Sequence, residues 1–204
     1  MKLRTDLALL SDWIKPHSHV LDLGCGDGTL LAHLRDTRSV SGYGVDIDEN
    51  KLIRCIEAGI YVIHSDLNKG LSQFSDKSFD NVILTQTLQA LKRPDLLLLE
   101  MMRVGEEAIV TFPNFGHWAC RFDIFFRGQM PLSRALPNEW YRTENIHLCT
   151  LKDFEQLCQT LNINIMQRAI VDTGHRSTAL MRLLPNLMGE IAIYRLRLMP
   201  KVNA

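Results

Sequence analysis

The chain has 204 residues, 46% of them hydrophobic, and its 23 basic side chains balance its 23 acidic ones. That length and apolar content suit about one domain with a full core, and a net charge of zero removes any general electrostatic pull toward nucleic acid or an anionic membrane. The five scattered cysteines (Cys25, Cys55, Cys120, Cys149, Cys158) form no CxxC pair and no zinc spacing, which argues against a disulfide framework or metal site and for reduced thiols.

In chain order, Leu3, Leu7, Leu10 and Ile14 share one side at helical spacing and Pro16 closes the segment, so the chain opens on an amphipathic helix with Trp13 at its packing face. Asp6 and Asp12 flank its apolar run and no small-residue cleavage site follows, which is unlike a signal peptide. No stretch approaches the roughly 18 apolar residues of a membrane span, so a cytoplasmic protein is expected. His19–Leu23 is a β-rich run that ends in glycines, and the apolar residues after Thr29 begin a helix. Further strands are expected at 41–47, 61–66, 79–85 and 107–112, with helices at 49–58, briefly after Gln86, and at 94–104, where Pro94 suits a first helical turn. Such alternation implies a parallel sheet covered by helices on both faces.

From 115 to 149 the rhythm breaks into an aromatic, Pro- and Arg-containing segment longer than an ordinary connection, which reads as a lid-like insertion. Its Trp118, Phe122, Phe125 and Phe126 are expected to form the core of that lid rather than a substrate cage. Thr150, with Asp153 three residues on, starts a helix to about 161 by a capping box, and two last strands are expected at 163–171 and 190–198. Arg168, Arg176, Arg182, Arg195, Arg197 and Lys201 outweigh Asp172 and Glu190 near the C-terminus, which we read as a solvated face. Neither repeat nor linker is visible, so residues 1–204 read as one domain.

The chemistry concentrates in Asp22-Leu23-Gly24-Cys25-Gly26-Asp27-Gly28. Glycines between a strand and a helix allow a tight turn and close approach to a ligand. The spacing is GxGxG; Thr29 stands where a dinucleotide fingerprint wants its third glycine, and Asp22 and Asp27 would repel a polyphosphate. S-adenosylmethionine (SAM), which has no phosphate and carries a sulfonium and an ammonium, fits better. The expected contacts at the turn are Asp22, Gly24, Cys25 and Gly26; Cys25 is small enough for close packing, and no nucleophilic role is expected of it. Asp46, beside Ile47 at the end of the second strand, is the expected ribose ligand. Asp48 competes for that role, or caps the helix that follows. Asp66 is expected to accept the adenine amino group with Leu67 against the ring, the alternative being a turn aspartate.

These residues, with Gly44-Val45-Asp46, Ser65-Asp66 and Ser78-Phe79-Asp80-Asn81-Val82-Ile83, resemble the class I SAM-dependent methyltransferases. The resemblance implies a Rossmann-like α/β fold with a seven-stranded, mostly parallel sheet whose last strand is antiparallel, and it puts Gln86 at the methionine end of the cofactor. The place after the fourth strand reads Leu84-Thr85-Gln86-Thr87, without the Asn/Asp-Pro-Pro motif of amino-methyltransferases acting on nucleic-acid bases. Residues 78–91, Phe112-Pro113-Asn114-Phe115-Gly116-His117-Trp118 and Asn145-Ile146-His147-Leu148-Cys149-Thr150 resemble more narrowly the MetW family of methionine biosynthesis proteins. That resemblance implies a homoserine O-acyltransferase as partner. The alternative is a methyltransferase for an unidentified small-molecule acceptor, yielding S-adenosylhomocysteine (SAH). Methyl transfer rests largely on alignment, so no catalytic motif can be sought. His117, Trp118, Tyr141 and His147 are the candidates to shape an acceptor or partner site, although His147 between two apolar residues also reads as a hydrogen-bonded structural residue.

Overall fold

The computed structural model describes residues 5–133, 135–172 and 178–199; Leu3, Arg176 and Lys201 lie outside them. The chain runs α1 (Thr5–Trp13), β1 (His19–Leu23), α2 (Thr29–Arg38), β2 (Ser41–Asp46), α3 (Glu49–Glu57), β3 (Tyr61–His64), β4 (Phe79–Thr85), α4 (Pro94–Val104) and β5 (Gly105–Pro113). It continues through α5 (Trp118–Phe122), α6 (Leu151–Thr160), β6 (Ile163–Val171), α7 (Ala179–Leu183), α8 (Pro185–Met188) and β7 (Ile191–Leu198). The strands form one sheet in the order β3-β2-β1-β4-β5-β7-β6. β1 to β5 are parallel, and β7 is antiparallel to both neighbours. This is the expected Rossmann-like α/β sheet.

Side chains of successive strand residues point to opposite faces, and the apolar runs use both. Leu21, Leu23, Val82, Leu84, Val110 and Phe112 pack with Leu98, Met101, Phe154 and Cys158 from α4 and α6. Val20, Ile83, Ile109 and Ile193 pack with Leu10, Leu30, Leu34, Leu52 and Cys55 from α1, α2 and α3. A fully buried leucine such as Leu21 or Leu34 contributes about 1.5–3 kcal/mol, so the continuous apolar strands are what hold a two-sided cover of helices.

Several boundaries differ from the sequence reading for local reasons. The third strand stops at His64 because Asp66 caps a 3-10 turn at Leu67–Lys69, accepting from the Asn68 amide. The short helix after Gln86 is one 3-10 turn, Leu88–Ala90. β5 begins at Gly105, where a Cβ would stand 2.6 Å from Val82 Cγ2, so the chain can leave α4 straight into the sheet. α7 and α8 were not expected; Thr178 caps the first and Pro185 opens the second, but both are shorter than hydrophobic periodicity can register. The capping box is present: Thr150 accepts from the Asp153 amide and Asp153 from the Thr150 amide. Near the C-terminus, Arg168 pairs with Glu155, and Arg195 and Arg197 both pair with Glu107, so these three arginines are engaged within the chain. No helix among the described residues is long and apolar enough to cross a membrane.

Candidate cofactor-binding site

Strand order reverses between β1 and β4, because β1 continues to β2 on one side while the chain crosses to β4 on the other. A crevice at the carboxyl ends of strands opens at such a switch point, and the glycine turn sits there. Gly24, Gly26 and Gly28 have φ of 70°, 58° and 76°, a left-handed conformation that ordinary residues avoid. At Gly24 a Cβ would stand 2.5 Å from Thr87 Oγ1, so β1 and the loop after β4 approach too closely there for any side chain.

The turn spends its amides within the chain. Gly24 and Cys25 N–H both donate to Val45 O, at 2.7 and 3.1 Å, and Gly28 N–H donates to Cys25 O at 3.1 Å. Gly26 N–H donates to Asp46 Oδ2 at 2.9 Å, and Thr29 N–H to Asp27 Oδ1 at 3.2 Å. A phosphate-binding turn needs free amides aimed at the ligand; here the geometry withholds them.

The carboxylates divide into roles. Asp46 is buried and clamps the turn, accepting from Gly26 N–H and, through Oδ1, from Asp48 N–H at 3.0 Å. Asp48 caps α3 through the Asn50 amide, so of its two readings the structure shows the cap. Asp66 Oδ1 accepts from the Asn68 backbone and side-chain amides at 2.9 and 3.0 Å, and those bonds hold its carboxyl below the usual range. The turn-aspartate role is therefore present, on one oxygen of the carboxylate. The Thr29 hydroxyl, 2.6 Å from Asp27 Oδ1, likewise lowers the Asp27 carboxyl. Asp22, on β1 just before the turn, is 1% exposed, and its Oδ1 has no hydrogen-bond partner among the described residues. Burial, with the Asp46 charge behind it, pushes its carboxyl up to about 7.

Seven of the nine expected contacts line one cleft of about 250 Å³: Gly24, Gly26, Asp46, Ile47, Asp66, Leu67 and Gln86. Gln86 has φ of 51°, a strained value for a side chain of its size, and its amide donates to Thr111 O at 2.9 Å. Asp22 and Cys25 are not on the wall. The Cys25 side chain packs as its size suggests: its Sγ lies 4.0 Å from Cys55 Sγ, against the face Gly44 leaves open, and burial raises both thiols. It is a packing residue.

The cleft also has walls the sequence did not point to. Lys51 lines it from α3, Thr87, Ala90 and Leu91 from the loop after β4, and Glu144 and Asn145 from the far end of the insertion. Lys51 had a legible signal, in the first turn of the helix that follows Asp46; Glu144 and Asn145 had none, being placed by tertiary contacts alone.

His117, Trp118, Tyr141 and His147 do not line this cleft and do not converge. His117 is 9% exposed in a separate cavity of about 220 Å³ with Asn114, Cys120 and Glu190, and burial lowers its pKa against the opposing pull of the Glu190 carboxylate. His147 is structural: its amide donates to Gln89 O at 3.0 Å and its Nε2 lies 3.2 Å from Lys92 O. Trp118 and Tyr141 are exposed. The expected lid core is not formed: Phe125 and Phe126 are 81% and 69% exposed, and Phe126 touches Phe122 and Phe125 at centroid distances of 4.8 Å each. After α5 the insertion has one π-helical turn, Asp123–Arg127, and little other regular structure up to α6, so it supplies no second layer against which those rings can be buried. No group of three or more His, Cys, Asp or Glu is arranged to hold a metal ion among the described residues.

The family model described as "Methionine biosynthesis protein MetW" matches residues 4–196. The bifunctional methionine biosynthesis protein MetXA/MetW of Rhodopirellula baltica is 38% identical over 185 residues, 85% of this chain and 30% of the relative, so the chain spans under a third of the length of that curated relative. Among solved structures, an S-adenosylmethionine-dependent methyltransferase from Mesorhizobium loti is similar with a TM-score of 0.69 at 16% identity, over 95% of this chain and 97% of that one. Haemonchus contortus phosphoethanolamine N-methyltransferase 2, solved with S-adenosyl-L-methionine, gives 0.68 at 15% identity, over 96% of this chain and 52% of that one. At such identities the likeness is one of fold.

Proposed function

The chain belongs to the MetW family of methionine biosynthesis proteins, and from that premise we propose that it holds SAM in the cleft at the glycine turn and acts with, or regulates, a homoserine O-acyltransferase. The observation that carries the cofactor half is the donor set. Five turn amides are spent internally, which disfavours a phosphate, while the cleft carboxylates of Asp46, Asp66 and Glu144 favour a cation with hydrogen-bond donors. The similar Haemonchus enzyme was solved with SAM bound, which supports the same choice.

In this reading the turn admits the cofactor closely, and Asp46 takes the ribose hydroxyls. Each of its oxygens accepts one backbone amide and retains a second lone pair. Asp66 receives the adenine amino group, Leu67 flanks the ring, and Gln86 faces the methionine end. When bound, SAM supplies a methyl group on a sulfonium. The insertion over residues 115–149 acts as the lid, and its exposed aromatic face meets the partner.

The partner half rests on the relative whose name joins MetXA and MetW in one bifunctional chain; we take the MetXA portion to be the homoserine O-acyltransferase that the family resemblance implies. If SAM affinity differs between the free and the partnered protein, reciprocity lets SAM level set how tightly the chain associates with the acyltransferase. Co-purification and acyltransferase rates, with and without this chain and SAM, test it. Association with a changed rate is the expected result; an unassociated and unchanged acyltransferase sinks the partner half.

One observation favours a second reading as a small-molecule methyltransferase. His117, whose pKa burial lowers, lines the cavity beside Cys120 and Glu190, and an imidazole in its neutral form is a competent proton acceptor. Incubation with methyl-labelled SAM and a metabolite extract tests that reading through the appearance of a labelled small product, and no transfer at saturating SAM counts against it.

A further inference from the structure

Glu144 enters the cleft from a part of the chain that otherwise belongs to the insertion. The arm that carries it is pinned next to the cleft by Gln89, which is 2% exposed in the 3-10 turn after β4. Gln89 O accepts the amides of Ile146 and His147 at 2.9 and 3.0 Å, immediately after the cleft-lining pair Glu144 and Asn145. The Gln89 side-chain amide, through Nε2, donates to Pro113 O at 3.1 Å and lies 3.5 Å from Cys149 Sγ, joining the same arm to the end of β5. One residue thus ties the return of the insertion to the loop that supplies Gln86, Thr87, Ala90 and Leu91 to the cleft.

Charge gives the arm its consequence. The cleft is lined by the carboxylates of Asp46, Asp66 and Glu144 against the single ammonium of Lys51, which already faces Asp48 Oδ2 at 3.9 Å. Asp46 is committed to the turn and Asp66 to Asn68. Glu144 makes no ion pair or side-chain hydrogen bond among the described residues. SAM has a net charge of about +1 near neutral pH, and SAH, lacking the sulfonium, has about zero. An uncommitted carboxylate in the wall lowers the energy of the cation and does little for the neutral molecule.

We propose that Glu144 is a specificity-determining residue that makes the cleft prefer SAM to SAH, and that Gln89 is its positioning residue. This rests on the reading of the cleft as a SAM site. Because Glu144 belongs to the insertion, ligand charge is read by the segment that also carries the exposed aromatics, so SAM and SAH load that segment differently.

Calorimetric titration of SAM and SAH into the full chain and its variants tests the proposal. The wild type is expected to bind SAM more tightly than SAH, and Glu144→Gln to weaken SAM about three- to tenfold while leaving SAH within about twofold, an effect that shrinks in high salt. Glu144→Asp keeps the preference. Gln89→Met, which retains side-chain volume and the main-chain acceptor, reduces the SAM-to-SAH ratio without weakening SAH, a change that mere loss of packing would not produce. Equal weakening of both ligands by Glu144→Gln, or no weakening of either, overturns the proposal while leaving the SAM site standing. A wild type that binds neither ligand overturns both.

Discussion

At the glycine turn almost every backbone amide has a partner inside the chain, whereas in the insertion Trp118, Phe122, Phe125, Phe126, Trp140 and Tyr141 are exposed to water. The turn is fixed by its own amides, by Asp46 and by Val45 O before any ligand arrives. The insertion is fixed at its ends, by Phe115 N–H donating to Cys149 O and by the Gln89 contacts, while Phe125, Phe126, Trp140 and Tyr141 between them stay exposed. A preorganised cleft loses little on binding its ligand. An exposed aromatic surface is unfavourable in water and gains by being covered. On the proposed function, the chain thereby separates the region that holds SAM from the region that meets the partner.

The sharpest way to break this contrast is to damage the turn. Gly24→Ala puts a Cβ at 2.5 Å from Thr87 Oγ1 on a backbone with φ of 70°. Overpacking costs about 1–3 kcal/mol and a left-handed alanine about 1–2, so a loss of about 2–5 kcal/mol and no measurable SAM binding are expected in denaturant unfolding and ligand titration. Native stability and affinity in this variant would show that the turn is not preorganised by close approach.

Asp22 makes the cost of preorganisation visible. Its folded carboxyl titrates near 7, raised from an ordinary value of 3.8. Between those values the unfolded chain has released the proton and the folded chain has not, so the contribution to stability falls as pH rises through that window and levels off above 7. Asp22→Asn is expected to stabilise the ligand-free protein by about 2–4 kcal/mol at pH 8 and by little at pH 4. Parallel pH–stability curves for the two proteins would remove Asp22 from the account.

Asp46→Ala should weaken SAM by about 1.5–3 kcal/mol, a typical value for hydrogen bonds to a charged group, while the fold survives in circular dichroism. Retained affinity would move the ribose role elsewhere. The smallest effect on the fold is expected in the insertion. Phe125→Ser with Phe126→Ser removes only exposed rings and should change stability by no more than about 0.5 kcal/mol, yet release the acyltransferase in co-purification. A large loss of stability would mean that the aromatics are structural after all.

The two regions also differ in how far their sequence discloses them. β1, β4 and β5 were legible because a sheet covered on both faces demands continuous apolar runs, and the turn because three closely spaced glycines between a strand and a helix have few other uses. Thr150 was legible as a cap, and the cap was one of two readings open for Asp48, because capping is local chemistry. Seven expected contacts fall on the cleft wall because each is fixed by its place at the end of its own strand. Glu144 and Asn145 reach the same wall on an arm tied to Gln89, more than 50 residues earlier in the chain, and no local pattern encodes that meeting. The exposure of Phe125 and Phe126 is hidden from the sequence for the same reason: an aromatic run has the same residues whether or not a second layer exists to cover it.

The most direct test is a calorimetric titration of SAM into the wild-type chain, alone and with a homoserine O-acyltransferase. Saturable binding at one site per chain, lost in Gly24→Ala and shifted in affinity by the acyltransferase, is the predicted result. Absence of saturable SAM binding under both conditions would contradict the account.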